Sequence, residues 1–168
     1  MIPQASRLKL KKDEYMTLRG YTRDSDSVNH YLRGQWTLPM STKDVKKAKN
    51  MARCIRNIFL RVPPLDGYVT LWRGANLDIK KIKVGRELKF FSKGMVSTSK
   101  SKRVAMGFLE NYCCIFKLIL PPYSKALFIG DVSVYPQEEE VLIPHNSRFI
   151  IKSIKGGEII AELKSQKI

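Results

Sequence analysis

Three adjacent glutamates, Glu138-Glu139-Glu140, stand directly before the apolar run Val141–Pro144. The chain has 31 lysines and arginines against 15 acidic residues, a formal net charge of +16, so a self-repelling acidic cluster within it requires an explanation. If residues 140–143 form a strand, Glu138 and Glu140 point to one side and Glu139 points to the other. Two carboxylates on one face, at the mouth of a sheet, can act as a chemical pair. The alternative is a solvated acidic turn.

Two other polar elements stand at strand ends or turns. Arg73-Gly74 closes the apolar run Tyr68–Trp72, and Ser97-Thr98-Ser99 follows Gly94–Val96. Each has an ordinary structural explanation: the arginine as an edge residue whose charge reaches solvent, the hydroxyl run as the cap of a following helix. The functional information lies in the combination of all three elements and in their order.

The elements that must position these residues change type along the chain. The first sixty residues predict helices over Asp13–Leu18, from a cap at Ser25 or Asp26 to Gly34, and from a cap at Ser41 or Thr42 onwards. The third helix has an apolar face opposite a basic one that holds Lys46, Lys49, Arg53 and Arg56. Such a helix can bind membranes or nucleic acid, but it is more often a core helix with a solvated back.

After Pro63-Pro64 the pattern is that of strands. The predicted strands are Tyr68–Trp72, Glu87–Phe91, Cys113–Leu120, Lys125–Phe128, Glu140–Ile143, Arg148–Ile154 and Glu158–Leu163, with one helix over Ser101–Asn111. Helices followed by strands indicate an α+β fold. We expect one domain over residues 1–168, with a helical part (1–62) and a β core (63–168) that carries the site.

Composition limits the function classes. No apolar run approaches the roughly 20 residues of a membrane span, and Met1–Lys12 lacks the apolar region of a signal peptide. Three cysteines without metal-ligand spacing predict no zinc site, and two histidines give little support to a catalytic triad. The charge favours acidic partners: nucleic acid, an anionic surface or a polyphosphate ligand. We expect a soluble protein that is cytosolic or is delivered into a host cell by other means.

Five segments, in sequence order, resemble the arginine–serine–glutamate class of mono-ADP-ribosyltransferases, which includes clostridial binary-toxin enzymes and vertebrate arginine-specific ectoenzymes. They are Tyr21–Arg33, Tyr68–Gly74, Phe91–Ser99, Tyr135–Pro144 and His145–Phe149. The resemblance implies a mixed, mostly antiparallel two-sheet β core behind N-terminal helices. It also implies NAD as co-substrate, with no metal.

The resemblance assigns roles on the NAD side of the site. Glu140 would stabilise the oxocarbenium charge that develops when the nicotinamide bond breaks, and Ser97 would hold Glu140 by a hydrogen bond. Arg73, beside Gly74, would bind the phosphates through its planar fork. The remaining implied cofactor-side residues are Thr98 and Ser99 in the site wall, Asn29 and Arg33 towards phosphate and nicotinamide, and Phe108 near the nicotinamide or else in the core.

On the acceptor side, Glu138 would bind and help deprotonate an arginine, a poor nucleophile while protonated. Tyr135 would touch the protein substrate from a turn tip, or else be a half-buried turn aromatic. Where the family often has a tyrosine four residues before the helix asparagine, this chain has Ser25, so an aromatic contact must come from Tyr21 or elsewhere.

The predicted function is therefore a mono-ADP-ribosyltransferase that releases nicotinamide and modifies a protein acceptor, through arginine. Three alternatives stay open from the sequence: an NAD glycohydrolase with water as acceptor, a transferase directed to nucleic acid, and a basic binding module.

Overall fold

The computed structural model describes residues 1–35, 41–75, 77–88, 91, 93–107 and 114–168. Its helices are α1 (Lys12–Arg23), α2 (Ser25–Arg33), α3 (Thr42–Arg61) and the short α4 (Lys102–Gly107). None of the helices in these ranges is long and apolar enough to cross a membrane. The three predicted N-terminal helices are confirmed.

The helix ends follow local chemistry. The Ser41 side chain accepts a hydrogen bond from the backbone N–H of Asp44, which confirms the predicted cap of α3. The cap of α2 is Asp24, one residue before the predicted pair, and α2 ends at Gly34 in the left-handed conformation (φ 64°). Helix α1 extends a turn beyond the prediction because Tyr21 continues its buried face.

The strands form a mixed sheet with the order β4-β5-β2-β1-β3-β7-β6. The strands are β1 (Val69–Ala75), β2 (Val96–Ser99), β3 (Cys114–Leu120), β4 (Leu127–Phe128), β5 (Glu140–Ile143), β6 (Ser147–Lys155) and β7 (Glu158–Gln166). Only the β3–β7 pair is parallel among the pairings of the described strands. The predicted α+β class with mostly antiparallel pairing is confirmed.

The sheet is continuous but cannot be flat. Strands β5 and β6 lie five strand positions apart, which is about 24 Å in a flat sheet. Yet only residues 144–146 connect them, and the four Cα steps from Ile143 to Ser147 span at most about 15 Å. The sheet must therefore bend until these strand ends approach each other. The expected two-sheet core is one hydrogen-bonded sheet bent in this way.

Strand β5 is buried on both faces. Val141 and Ile143 belong to the larger apolar cluster, formed mainly by sheet residues, whereas Leu142 belongs to a second cluster with Tyr21 and Phe59 of the helices. This explains why the strand reads as a continuous apolar run rather than an alternating one. It also holds Glu140, the first residue of β5, in a fixed position.

One predicted strand is wrong. Over Glu87–Phe91 the structure has an isolated bridge between Glu87 and Ile150, and the backbone N–H of Phe91 bonds to the carbonyl of Leu88 at 3.2 Å. Such a bond does not occur within an extended strand, and Phe91 packs edge-on against Phe116, with ring centroids 5.1 Å apart. Lys89 and Phe90 lie outside the described residues. Cys113 and the end of the predicted helix after residue 107 lie outside the described residues.

Candidate active site

A cleft of about 260 Å³ opens where β1, β2 and the start of β5 meet the junction of α1 and α2. Its lining consists of Tyr21, Thr22, Ser25, Trp72, Arg73, Gly74, Ser97, Thr98, Ser99, Ala105, Glu138 and Glu140. The three polar elements that the sequence singles out thus share one cleft, although up to 67 residues separate their members. The β-sheet register accounts for part of this, because Glu140 pairs with Ser99, and Ser99 in turn pairs with Trp72.

Glu140 is the buried acid of the cleft, with 7% of its surface exposed. Burial raises the pKa of its carboxyl to about 7, and the nearby Glu138 charge acts in the same direction. A hydrogen bond from Ser97 and the positive charge of Arg73 lower the pKa in part. The site therefore holds a carboxyl group that gains or loses its proton near neutral pH, a common property of functional acids.

Glu138 and Glu140 line the cleft together, but strand alternation is not the reason. Glu138 ends a short 3-10 turn, Pro136–Glu138, and β5 begins only at Glu140. Between them Glu139 adopts a left-handed backbone conformation (φ 47°) and is exposed outside the cleft. The turn thus gives the predicted separation of side chains by a different route. Partial burial raises the pKa of Glu138.

A chain of hydrogen bonds leads from helix α2 to the buried acid. The Asn29 side-chain amide donates to the Tyr21 hydroxyl at 3.2 Å, and that hydroxyl lies 3.1 Å from Ser97 Oγ. Because the Asn29 amide supplies a donor, the Tyr21 proton is available to Ser97, and the Ser97 proton is then available to Glu140. Asn29 is itself fixed, since its side-chain oxygen accepts from the backbone N–H of Met95 at 2.8 Å.

Arg73 is a half-buried cation that lines the cleft. Its Nη1 donates to the Ser97 carbonyl at 2.5 Å, and its guanidinium lies 5.6 Å from the centroid of the Phe91 ring. Its Nε is buried and has no hydrogen-bond partner among the described residues. Burial lowers the pKa of the guanidinium. A buried donor of this kind suits an anionic ligand that completes its hydrogen bonds.

The remaining strand residues form the wall of the cleft. Thr98 donates from its hydroxyl to the Val141 carbonyl at 2.6 Å, which ties β2 to β5. Ser99 Oγ accepts from the backbone N–H of Ser101 at 3.0 Å, next to the start of α4. Gly74 also lines the cleft. These contacts fix the strands that carry Ser97 and Glu140.

Other predicted site residues lie elsewhere. Asn29 is outside the cleft lining and stands behind Tyr21, and Arg33 packs beside Gly94 instead, with its guanidinium 3.0 Å from where a Cβ on Gly94 would lie. Tyr135 precedes the acidic turn and is 43% exposed, outside the cleft. Phe108 lies outside the described residues.

Five lining residues were not among the predicted site residues, although the sequence offered Tyr21 as one source of an aromatic contact. Thr22 and Ser25 come from the α1–α2 junction, Trp72 from β1 and Ala105 from α4. Besides Tyr21, the position of Trp72 directly before Arg73 is a local signal that could have found a lining residue. The others reach the cleft through tertiary packing. Within the described ranges no group of three or more His, Cys, Asp or Glu side chains is placed to hold a metal ion.

Comparison with solved structures identifies the fold. Plx2a, an ADP-ribosyltransferase toxin from Paenibacillus larvae, is 24% identical with a TM-score of 0.76, covering 95% of this chain and 90% of its own. C3stau2 from S. aureus, solved with NAD, is 20% identical with a TM-score of 0.76, covering 96% and 91%. The ADP-ribosyltransferase Vis, from Vibrio splendidus, was solved with agmatine and is 19% identical with a TM-score of 0.70, covering 95% and 76%.

A search of curated protein sequences finds no match. The family model described as ADP-ribosyltransferase exoenzyme, however, matches residues 4–167, nearly the whole chain. The order of arginine, serine and glutamate elements that the sequence shows is the one expected for this class, and the fold agrees with it. The chain belongs to the ADP-ribosyltransferase exoenzyme family.

Proposed function

We propose that this protein cleaves NAD and transfers ADP-ribose to an arginine side chain of a protein acceptor. One observation carries the proposal: Glu138 and Glu140 face the same cleft, while Glu139 between them is exposed outside it. The reaction needs two carboxylates with different tasks, one at the ribose and one at the acceptor. Their different burial suits that division.

At the NAD side, the bond between nicotinamide and ribose C1′ breaks, and nicotinamide leaves with the electron pair. Positive charge then develops on the ribose ring, as in glycoside hydrolysis. Ionised Glu140 stabilises this charge at close range in a buried site, where an electrostatic interaction is strong. Ser97 holds the carboxylate in position, supported by the Tyr21 hydroxyl 3.1 Å away.

Arg73 binds the phosphates of NAD in this proposal. Support comes from its buried Nε, which has no partner among the residues described, and from its fixed orientation above Phe91 and against the Ser97 carbonyl. A phosphate oxygen would satisfy the buried Nε donor and neutralise the half-buried charge. The NAD complex of C3stau2 is consistent with the use of this fold for NAD.

At the acceptor side, Glu138 binds the guanidinium of arginine and accepts its proton. The neutral nitrogen then attacks C1′ and forms the new glycosidic bond. A carboxylate of raised pKa is a better proton acceptor than an ordinary exposed glutamate. Support also comes from Vis, which was solved with agmatine, a small molecule that ends in the same guanidinium as arginine.

The test uses agmatine as acceptor and separates transfer from NAD cleavage. With the native protein we expect ADP-ribosyl-agmatine and nicotinamide. Glu138→Gln should lose the agmatine product and keep a substantial part of nicotinamide release, because water needs no guanidinium-binding carboxylate. Glu139→Gln, the matched control, should change neither reaction. Full agmatine transfer by Glu138→Gln would contradict the acceptor role, and free ADP-ribose as the sole native product would favour a glycohydrolase.

A further inference from the structure

The described structure also has a cavity larger than the catalytic cleft. It is a concave groove of about 690 Å³ between α1 and α3, called the basic groove below. Its lining is Lys11, Asp13, Glu14, Thr17, Lys43, Lys46, Lys47, Asn50, Met51, Arg53, Cys54 and Asn57. Nothing in the proposed reaction uses it.

The α3 wall of the basic groove is a single helix face. Its lining residues recur every three or four positions, which places them in a row along the helix. Between Lys43 and Asn57 this row is about 21 Å long. Its cations, Lys43, Lys46, Lys47 and Arg53, are exposed and make no ion pair with any residue that the structure describes. Of the two acids on the α1 wall, Glu14 is paired with Arg61 at 2.5 Å.

The shape and chemistry of the groove favour one kind of polyanion. The groove is concave and lies between two helices, so its shape does not match a flat membrane. The lining has no aromatic side chain on which bases of a single strand could stack. It does contain Asn50 and Asn57, whose amides can both donate to and accept from a peptide backbone.

The groove also lies next to the catalytic cleft. Helix α1 lines the basic groove with Thr17 and lines the cleft with Tyr21, only about one helical turn further on. Since one helix contributes to both cavities, a protein whose arginine enters the cleft has the groove within its reach. Along 21 Å the groove has room for about six residues of extended chain.

We propose that the basic groove binds an acidic peptide segment of the protein acceptor while the acceptor's arginine lies in the cleft. This rests on the proposed function, because it concerns the acceptor of that same reaction. Long-range attraction between the groove and the acidic segment raises the rate of encounter and orients the acceptor.

The probe is a fluorescent glutamate-rich peptide of about twelve residues, and the groove variant carries Lys43→Gln, Lys46→Gln, Lys47→Gln and Arg53→Gln. The matched control removes four exposed lysines elsewhere, with Lys80→Gln, Lys83→Gln, Lys155→Gln and Lys164→Gln. We expect the groove variant to bind the peptide about tenfold or more weakly, and the control less than about twofold. Bound peptide should also slow N-ethylmaleimide modification of Cys54 in the native protein. Equal losses of peptide affinity in both variants would overturn the proposal, because net charge alone would then explain the binding.

Two further measurements separate this proposal from its alternatives and from the proposed function. A twelve-base-pair duplex and anionic vesicles are assayed in parallel, and tighter groove-dependent binding of either would overturn the peptide assignment.

Agmatine is too small to reach the groove, so the groove variant should keep native agmatine transfer while labelling of lysate proteins falls. Loss of agmatine transfer in this variant would show that the groove is not separate from the cleft. If the native protein fails to modify agmatine, the proposed arginine acceptor fails while the peptide-binding result still stands.

Discussion

At the scale of single residues, Glu140 connects catalysis with stability. The residue is 7% exposed, and the pKa of its carboxyl, about 7, lies above the usual 4.5 because of burial. Between these two values the folded protein binds more protons than the unfolded chain, so the free energy of unfolding falls as the pH rises through this window. The ionised form that the reaction needs is therefore the less stable one.

Replacing Glu140 by Gln should reduce activity and increase stability together. Loss of the charge should lower the rate of nicotinamide release by about 10²–10³. Gln cannot ionise, so the variant should be more stable than the native protein by about 1–3 kcal/mol at pH 8, with the gain shrinking towards pH 5. Nicotinamide assays and thermal unfolding at both pH values test this. A folded variant with the native rate of nicotinamide release would show that another residue is the catalytic acid. A gain in stability that does not depend on pH would contradict the buried-charge explanation.

Tyr21 acts on the same carboxyl through Ser97. In Tyr21→Phe, Ser97 loses the partner 3.1 Å away and should hold Glu140 less firmly. Since a weaker hydrogen bond to the ionised form raises a carboxyl pKa, the ascending limb of the pH–rate profile of nicotinamide release should move to higher pH. Tyr15→Phe, at a more exposed tyrosine of the same helix, is the control and should leave the profile unchanged. A lower plateau without a shift would show a purely structural role for Tyr21.

At the scale of elements, the sequence predicts what local chemistry decides. Strand β5 has the predicted bounds because Val141–Ile143 are buried on both faces, and α3 begins at the predicted cap. The segment at Glu87–Phe91 has the apolar content of a strand, but a local turn and aromatic packing determine its form. The contact between Tyr21 and Ser97 joins residues 76 positions apart, and no local pattern encodes it.

The buried side chain of Asn29 connects helix α2 to Met95, the residue directly before β2. In Asn29→Ala, the backbone N–H of Met95 loses its partner in a buried region and the Tyr21 hydroxyl keeps only Ser97, which should lower the free energy of unfolding by about 1–3 kcal/mol. Asp26→Ala, on the exposed side of the same helix, should change it by no more than about 0.5 kcal/mol. Denaturant titrations of the two variants test this. Equal effects would mean that helix propensity, rather than the connection to β2, is being measured.

At the scale of the whole molecule, the bent sheet positions the site residues, whereas the net charge acts at longer range. The bent sheet brings the Ser97 and Glu140 elements to the α1–α2 junction, so the cleft depends on fixed packing. The net charge of +16 acts instead over distances comparable with the Debye length, about 10 Å at 0.1 M salt. A sequence alone states the size of that charge, but its distribution over the basic groove depends on how α1 and α3 pack.

The short-range packing of the cleft and the long-range action of the net charge predict different responses to salt. Transfer of ADP-ribose to a protein acceptor depends on long-range attraction and should fall several-fold between 50 and 200 mM NaCl, whereas NAD cleavage with water as acceptor should change by less than about twofold. The variant that neutralises the basic groove should transfer slowly at low salt and lose its salt dependence. The variant that removes four lysines elsewhere should retain that dependence. Labelled-NAD assays that follow protein label and nicotinamide in the same samples measure both. Parallel salt curves for transfer and cleavage would assign the charge to solubility, and not to recruitment of the acceptor.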